Sequence, residues 1–186
     1  MYEWKWSSQL RLPTPHGCVF CSADLLASGG YDALYNWSVE NVSEFWGAAW
    51  DFLQMQSSTP YTEVVNDPSA LPGAKWFTGA RLNFAQNLLR FRDDRTALVF
   101  RNDCSCKDTR VTYRELYDRV AVLARTLRAA GVKRGDRVGG VLPNIAEAAV
   151  AMLAVTSIGA LWSSCSPDFG LQGVRDRFGQ IEVRCR

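Results

Sequence analysis

The stretch "VTYRELYDRVAVLARTLRAAGVKRGDRVGGVLPNIAEAAVAMLAVTSIGALWSSCSPDFG", residues 111–170, decides the fold. Leu116, Val120, Leu123 and Leu127 follow at steps of four, three and four, the spacing of one helical face. Thr112 with Glu115 has the pattern of a capping box, in which two side chains satisfy free backbone N–H groups of the first turn. Gly131 stands where a helix ending wants a left-handed residue. The spacing therefore predicts a helix from Thr112 to about Ala130. "GDRVGGVL" reads as a strand whose Gly139 and Gly140 allow close backbone approach while weakening the strand. Pro143 stops it. Asn144 with Glu147 predicts another capping box, opening the helix "IAEAAVAMLAVTSIG", whose small residues suit close packing on a sheet. "ALWSS" is the next strand, and a last helix is expected over Leu171 to Gln180.

From residue 110 the order is β, α, β, α, β, α. Strands separated by single helices imply parallel pairing through right-handed crossovers. The expected fold class is α/β, a partial doubly wound parallel sheet with flanking helices, preceded by a helical N-terminal segment. In such sheets ligands bind beyond the carboxyl ends of the strands. "SSCSPDFG" sits at such an end and is the candidate ligand loop. Ser163, Ser164 and Ser166 offer hydroxyls there and Asp168 a carboxylate. The chain's one histidine is His16. It lies far upstream, so a Ser–His–Asp triad is not expected. The plainer alternative is that the serines satisfy backbone groups and Asp168 caps the last helix.

Upstream, "TALVF" (96–100) and "TRVTY" (109–113) read as a hairpin around the polar turn "RNDCSCKDT". "RFRDDR" (90–95) reads as a solvated charged turn, and "RLNFAQNLL" as a short helix. The Pro-rich "STPYTEVVNDPSALPGAK" reads as a loop with a short extended piece at Glu63 to Val65. "NVSEFWGAAWDFLQ" begins a helix with a capping-box pattern at Asn41 and Glu44. Its apolar stripe is Phe45, Trp46, Ala49, Trp50 and Leu53. Three aromatics on a stripe could form a cofactor box, but the better reading is that they anchor the helix by packing. Residues 1–30, with scattered Pro and Gly, read as a poorly ordered arm. The expected organisation is an arm (1–30), a helical segment (31–95) and an incomplete α/β part (96–186).

Composition narrows the class. Of 186 residues, 47% are hydrophobic and 22% charged, a globular balance. Lys plus Arg number 21 against 19 Asp plus Glu, which gives no reason to expect nucleic acid or an acidic membrane as partner. No apolar run approaches the roughly 20 residues a bilayer needs. No signal-peptide pattern opens the chain, so a cytosolic protein is expected. Six cysteines occur. His16, Cys18 and Cys21 with Cys104 and Cys106 give mismatched half-sites for zinc. Free thiols in a reducing compartment is the preferred reading, with no metal assigned. The RGD letters of "KRGDRV" sit between a helix and a strand and read as a turn at Gly135 and Asp136. The phosphate-loop pattern G-x-x-x-x-G-K-[ST] is absent, as are G-x-G-x-x-G after a strand and H-E-x-x-H. Chemistry alone gives one candidate ligand loop and no catalytic set.

Longer stretches carry a resemblance. "YDALYNWSVENVSEFWGAAWDF", "WFTGARLNFAQNLLR", residues 111–170 and "VRDRFGQIE" closely resemble the acetoacetyl-CoA synthetases, a branch of the adenylate-forming acyl-CoA synthetases. "WSSCSPDFG" and "YNWSVENVSEFW" point to that branch. The resemblance runs from about Tyr31 to Glu182 and concerns the N-terminal part of the family's fold. It implies a two-step ligase in lipid metabolism. ATP and acetoacetate give an acyl-adenylate and pyrophosphate; coenzyme A then displaces AMP. ATP, CoA and Mg²⁺ are the implied cofactors. The family's phosphate loop, ribose-binding acid and C-terminal lysine lie downstream of the matched region and cannot be placed here. By position, the loop that contacts the nucleotide end of coenzyme A in the acetyl-CoA relatives falls on Ser166, Pro167 and Asp168. Two expectations follow. The chain is an N-terminal piece of such a ligase, inactive alone. Alternatively it is an interaction module, self-associating or pairing with a full-length ligase through an unfinished sheet edge.

Overall fold

The structure is a computed structural model, and it describes residues 30–101 and 108–183. All of the expected arm but Gly30, together with Cys104, Cys106 and Cys185, lies outside the described residues, and so do the arm's His16, Cys18 and Cys21. The fold divides between Arg81 and Leu82.

The first unit opens with helices α1 (Gly30–Glu40) and α2 (Val42–Phe52). Short strands β1 (Glu63–Val65) and β2 (Trp76–Thr78) follow and pair antiparallel, Glu63 opposite Thr78. The extended piece at Glu63 to Val65 is thus borne out, while its partner β2 had no signal in the sequence reading. Aromatic packing holds the unit together. Trp50 lies 4.6 Å from Phe77 and 5.2 Å from Tyr61, centroid to centroid. Trp46 meets Trp76 edge-on at 5.9 Å. These pairings support the anchoring reading of the α2 stripe. One stripe member departs: Leu53 ends the helix as its C-cap and is 47% exposed. The capping box at Asn41 does not form. The Asn41 backbone N–H donates to Trp37 O at 2.9 Å, so α1 runs almost directly into α2 and claims the would-be cap.

In the second unit, α3 (Phe84–Leu88) is followed by β3 (Thr96–Phe100) and β4 (Thr109–Thr112), the expected antiparallel hairpin. Helix α4 (Tyr113–Ala129) carries the expected capping box: Thr112 accepts from the Glu115 N–H, and Glu115 accepts from the Thr112 N–H at 2.8 Å. Gly131 is left-handed at φ +86°, as its position predicts. Strand β5 (Arg137–Val141), helix α5 (Ala146–Ser157), strand β6 (Leu161–Cys165), a 3-10 turn (Pro167–Phe169) and helix α6 (Gly170–Gln180) complete the unit.

Parallel pairing holds for β5 with β6 but not for β4, which pairs only with β3 among the described residues. Strand β3, the preceding strand in the chain, supplies a nearer partner than any crossover could. The Asn144–Glu147 box also fails: α5 starts after Ile145 with no side-chain cap, because the Ile145 N–H turns back onto Pro143 O at 2.9 Å.

The core lies between the helices and the hairpin. Leu116, Val120 and Ala124 of α4 meet Val150, Leu153 and Ala154 of α5, with Val111, Ala85 and Leu89 closing the sides. Leu123 and Leu127 pack against this cluster, as their spacing requires. Each fully buried aliphatic side chain contributes about 1.5–3 kcal/mol.

"RFRDDR" is exposed but ordered. Arg95 grips Asp93 through two nitrogens at 2.8–3.0 Å, and Arg114 grips Asp94 at 2.9 Å. The Arg95 hydrogen bond holds the Asp93 carboxyl below the usual carboxylate range. A lowered folded pKa stabilises above the unfolded value near 3.8 and is lost as pH falls through the folded one. NMR titration of Asp93 is therefore expected to give a midpoint below 3.8, and Arg95→Gln to move it upward. An unmoved midpoint in the variant would remove Arg95 as the cause.

Candidate functional site

The parallel register sets the two strand ends level. Arg137 stands opposite Leu161 and Val141 opposite Cys165. Leu142 N–H donates to Cys165 O at 3.1 Å and closes the ladder. The loops after Val141 and Cys165 therefore leave from one end of the sheet, where ligands of α/β folds bind.

Two glycines make the sheet tight. The Trp162 ring lies across Gly140, where an added Cβ would come within 2.4 Å of it. On the other face Phe178 and Val183 close over Gly139, at 3.1–3.2 Å from the corresponding Cβ position. The glycine pair was read as a place of close approach, and these are the groups that approach.

Ser166 caps the 3-10 turn beyond β6, in which Pro167 and Asp168 are the first two residues. The Ser166 hydroxyl donates to Asp168 Oδ2 at 2.8 Å and accepts from the Asp168 N–H at 3.4 Å. Pro167 opens the turn, where its missing N–H costs nothing. Phe169 N–H donates to Ser166 O at 3.2 Å. Gly170 adopts φ +65° with open space around it, so conformation alone selects glycine there. Ser166 is half-buried, and Pro167 and Asp168 are exposed. Arg177 stacks over the Phe169 ring at 4.5 Å.

The structure thus brings Ser166 and Asp168 together in one exposed turn at the expected end of the sheet. It corrects the capping alternative for Asp168: α6 begins at Gly170 with no side-chain cap, and Ser166 holds the Asp168 carboxylate. Cys165, at the root of the turn, is a buried free thiol. Among the described residues no group of three or more His, Cys, Asp or Glu converges on one point. The described residues do not form a cage for the Mg²⁺ that the resemblance implies. No helix of the described residues is long and apolar enough to cross a membrane.

Chemically, the turn offers a hydroxyl, a carboxylate and exposed main chain. The carboxylate opposes phosphate oxygens by like charge and suits neutral donors such as hydroxyl or amino groups.

A family model described as AMP-binding enzyme matches residues 84–185, and one for the acetyl-coenzyme A synthetase N-terminus matches residues 31–88. Acetoacetyl-CoA synthetase of Rattus norvegicus is 50% identical over 161 residues, covering 86% of this chain and 24% of the relative. Acetoacetyl-coenzyme A synthetase of Rhizobium meliloti is 46% identical over 151 residues, covering 81% and 23%. The solved acetoacetyl-CoA synthetase from Streptomyces lividans superposes with a TM-score of 0.77 at 44% identity, covering 89% of this chain and 26% of that one. The chain spans about a quarter of the length of these relatives. With more than half of its residues in the matched region and the βα order intact, the chain belongs to the AMP-binding enzyme family, as a homologue of the acetoacetyl-CoA synthetases.

Proposed function

We propose that this chain is the N-terminal part of an acetoacetate–CoA ligase of the cytosol, and that it does not complete the reaction alone. The identity of 50% over 161 residues with a named acetoacetyl-CoA synthetase carries this reading. In that ligase ATP activates acetoacetate as an acyl-adenylate, and the thiol of coenzyme A then displaces AMP. Both steps develop phosphate or oxyanion charge that cationic or N–H donors must meet. The sequence holds none of the glycine-rich phosphate loops that supply such donors.

In this reading Ser166, Pro167 and Asp168 contact the nucleotide end of coenzyme A. The turn contributes main-chain groups and the Asp168 carboxylate, the latter toward a hydroxyl or amino group rather than a phosphate. The Ser166–Asp168 hydrogen bond fixes the carboxylate before the ligand arrives, which lowers the ordering cost of binding.

The purified 186-residue chain, incubated with ATP, acetoacetate, coenzyme A and Mg²⁺, is expected to release no AMP above the blank. AMP release that depends on acetoacetate would show a complete active centre in this chain and overturn the proposed division of labour.

A further inference from the structure

Helix α4 has a second patterned face, away from the core. Its buried residues are Leu116, Val120 and Ala124. On the other side Glu115, Asp118, Val122, Arg125 and Ala129 follow at steps of three, four, three and four, and all of them are exposed. That is the spacing of a seam along which two helices pair. Val122, at its middle, is an apolar side chain 54% exposed. It stands on a groove of about 490 Å³ between α4 and α5, whose apolar floor is completed by Leu123 and Val150. Arg119 and Glu147, of opposite sign, also line the groove.

The charges along this seam are sorted by sign. Glu115 and Asp118 precede Val122, and Arg125 follows it, with Arg128 beside the end of the seam. Neither Asp118 nor Arg125 makes an ion pair among the described residues. Asp118 exerts only a lesser through-space pull on Arg114, whose main partner is Asp94 at 2.9 Å. An acidic half followed by a basic half is complementary to its own reverse. Two copies of α4 laid antiparallel, with a two-fold axis close to Val122, bring Asp118 of each opposite Arg125 of the other. The two Val122 side chains then meet at the centre. Parallel pairing would instead set Asp118 on Asp118 and Arg125 on Arg125, which repel.

We infer that this face of α4 is a self-association surface, and that its occupant is the same face of a second copy of this chain, docked antiparallel. Such a two-fold interface is isologous: one patch serves both sides, so each favourable pair occurs twice. Apolar contact at Val122 supplies the centre, and the Asp118–Arg125 pairs fix direction and register. The helix has 17 residues and is about 25 Å long. One helix pair of that length makes a small interface of the transient class. The dimer is therefore weak and in exchange with monomer. The inference is independent of the ligase reading, since no residue of the Ser166 turn takes part.

The test is sedimentation of the 186-residue chain from micromolar to near-millimolar concentration. A monomer–dimer equilibrium is expected, weaker at about 1 M salt, where the screening length falls to about 3 Å. Asp118→Arg and Arg125→Asp each set like charges opposite one another at both ends of the seam. Each is expected to raise the dimer dissociation constant about tenfold or more. Both positions are exposed, so melting followed by circular dichroism should hardly move. The double variant, Asp118→Arg with Arg125→Asp, is expected to regain the dimer. An equimolar mixture of the two single variants is expected to form a heterodimer, because each then carries the charges the other lacks. A chain that stays monomeric throughout would overturn the inference. So would a dimer that both single variants leave intact, as pairing through a sheet edge would give, or a dimer lost in the single variants and recovered in neither combination.

Discussion

Gly140→Ala is expected to cost about 1–3 kcal/mol, the range for overpacking a close-fitted interior, and Gly140→Val more. The new Cβ would lie 2.4 Å from the tip of the Trp162 ring and 3.0 Å from the next ring carbon. Either the ring leaves its rotamer or β5 shifts against β6. A urea melt reads the loss directly. The double variant with Trp162→Leu separates the cause. If the ring is the obstacle, part of the alanine penalty disappears when the ring is gone, giving a coupling of about 1–2 kcal/mol. Additive losses would mean that the glycine is required for some other reason. Gly139→Ala is expected to cost less, since its neighbours at 3.1–3.2 Å are side-chain ends that can yield by a few tenths of an ångström.

The second large effect is at Asn83. Its Oδ1 accepts from Gln86 N–H at 3.0 Å and caps α3. Its Nδ2 donates to Thr156 O at 2.9 Å, in the last turn of α5. One half-buried amide thus caps the free N–H of α3 and adds a second donor to a carbonyl at the end of α5, two helix ends that lie far apart in sequence. Asn83→Ala is expected to lose about 1–2 kcal/mol, about 1 from the cap and the rest from the second hydrogen bond at Thr156 O, which keeps the Gly159 N–H at 3.0 Å. Asn83→Ser keeps an acceptor for the cap and loses the donor, so about half of the penalty should remain. Asn83→Asp keeps the cap but places a negative charge beside the carbonyl end of α5, where the helix dipole disfavours it. Full stability in Asn83→Asp would show that the Thr156 contact contributes nothing.

The sequence reading succeeded where a signal is local. The α4 box closes because Thr112 comes straight from a strand and its side chain has no competitor. The same letters at Asn41 and Asn144 failed because neighbouring backbone groups had already taken the geometry: Trp37 O binds Asn41, and Pro143 O turns Ile145 inward. Helix α1 left no apolar stripe to read, and none of its residues is buried. Strand β2 is three residues long and includes Phe77 at φ +46°, a conformation that no propensity predicts. Its ring instead settles against Trp50 and Tyr61.

The candidate turn was legible by position, because Pro167 and Gly170 punctuate the end of a strand. The bond between Ser166 and Asp168 was not, since either side chain could have capped α6.

By itself, then, the sequence determined the order of the strands and α-helices from Thr96 onward, the buried face of α4, the hairpin and the strand end that carries Ser166 to Asp168. Each of these depends on residues within about four positions of one another, where backbone geometry leaves few choices. Only the tertiary structure decided that β4 leaves the parallel sheet, that Trp162 and Phe178 fill the two glycines, and that Asn83 joins α3 to α5. These contacts join residues far apart in the chain, and their energy comes from shape and hydrogen-bond partners that exist only once the segments have packed.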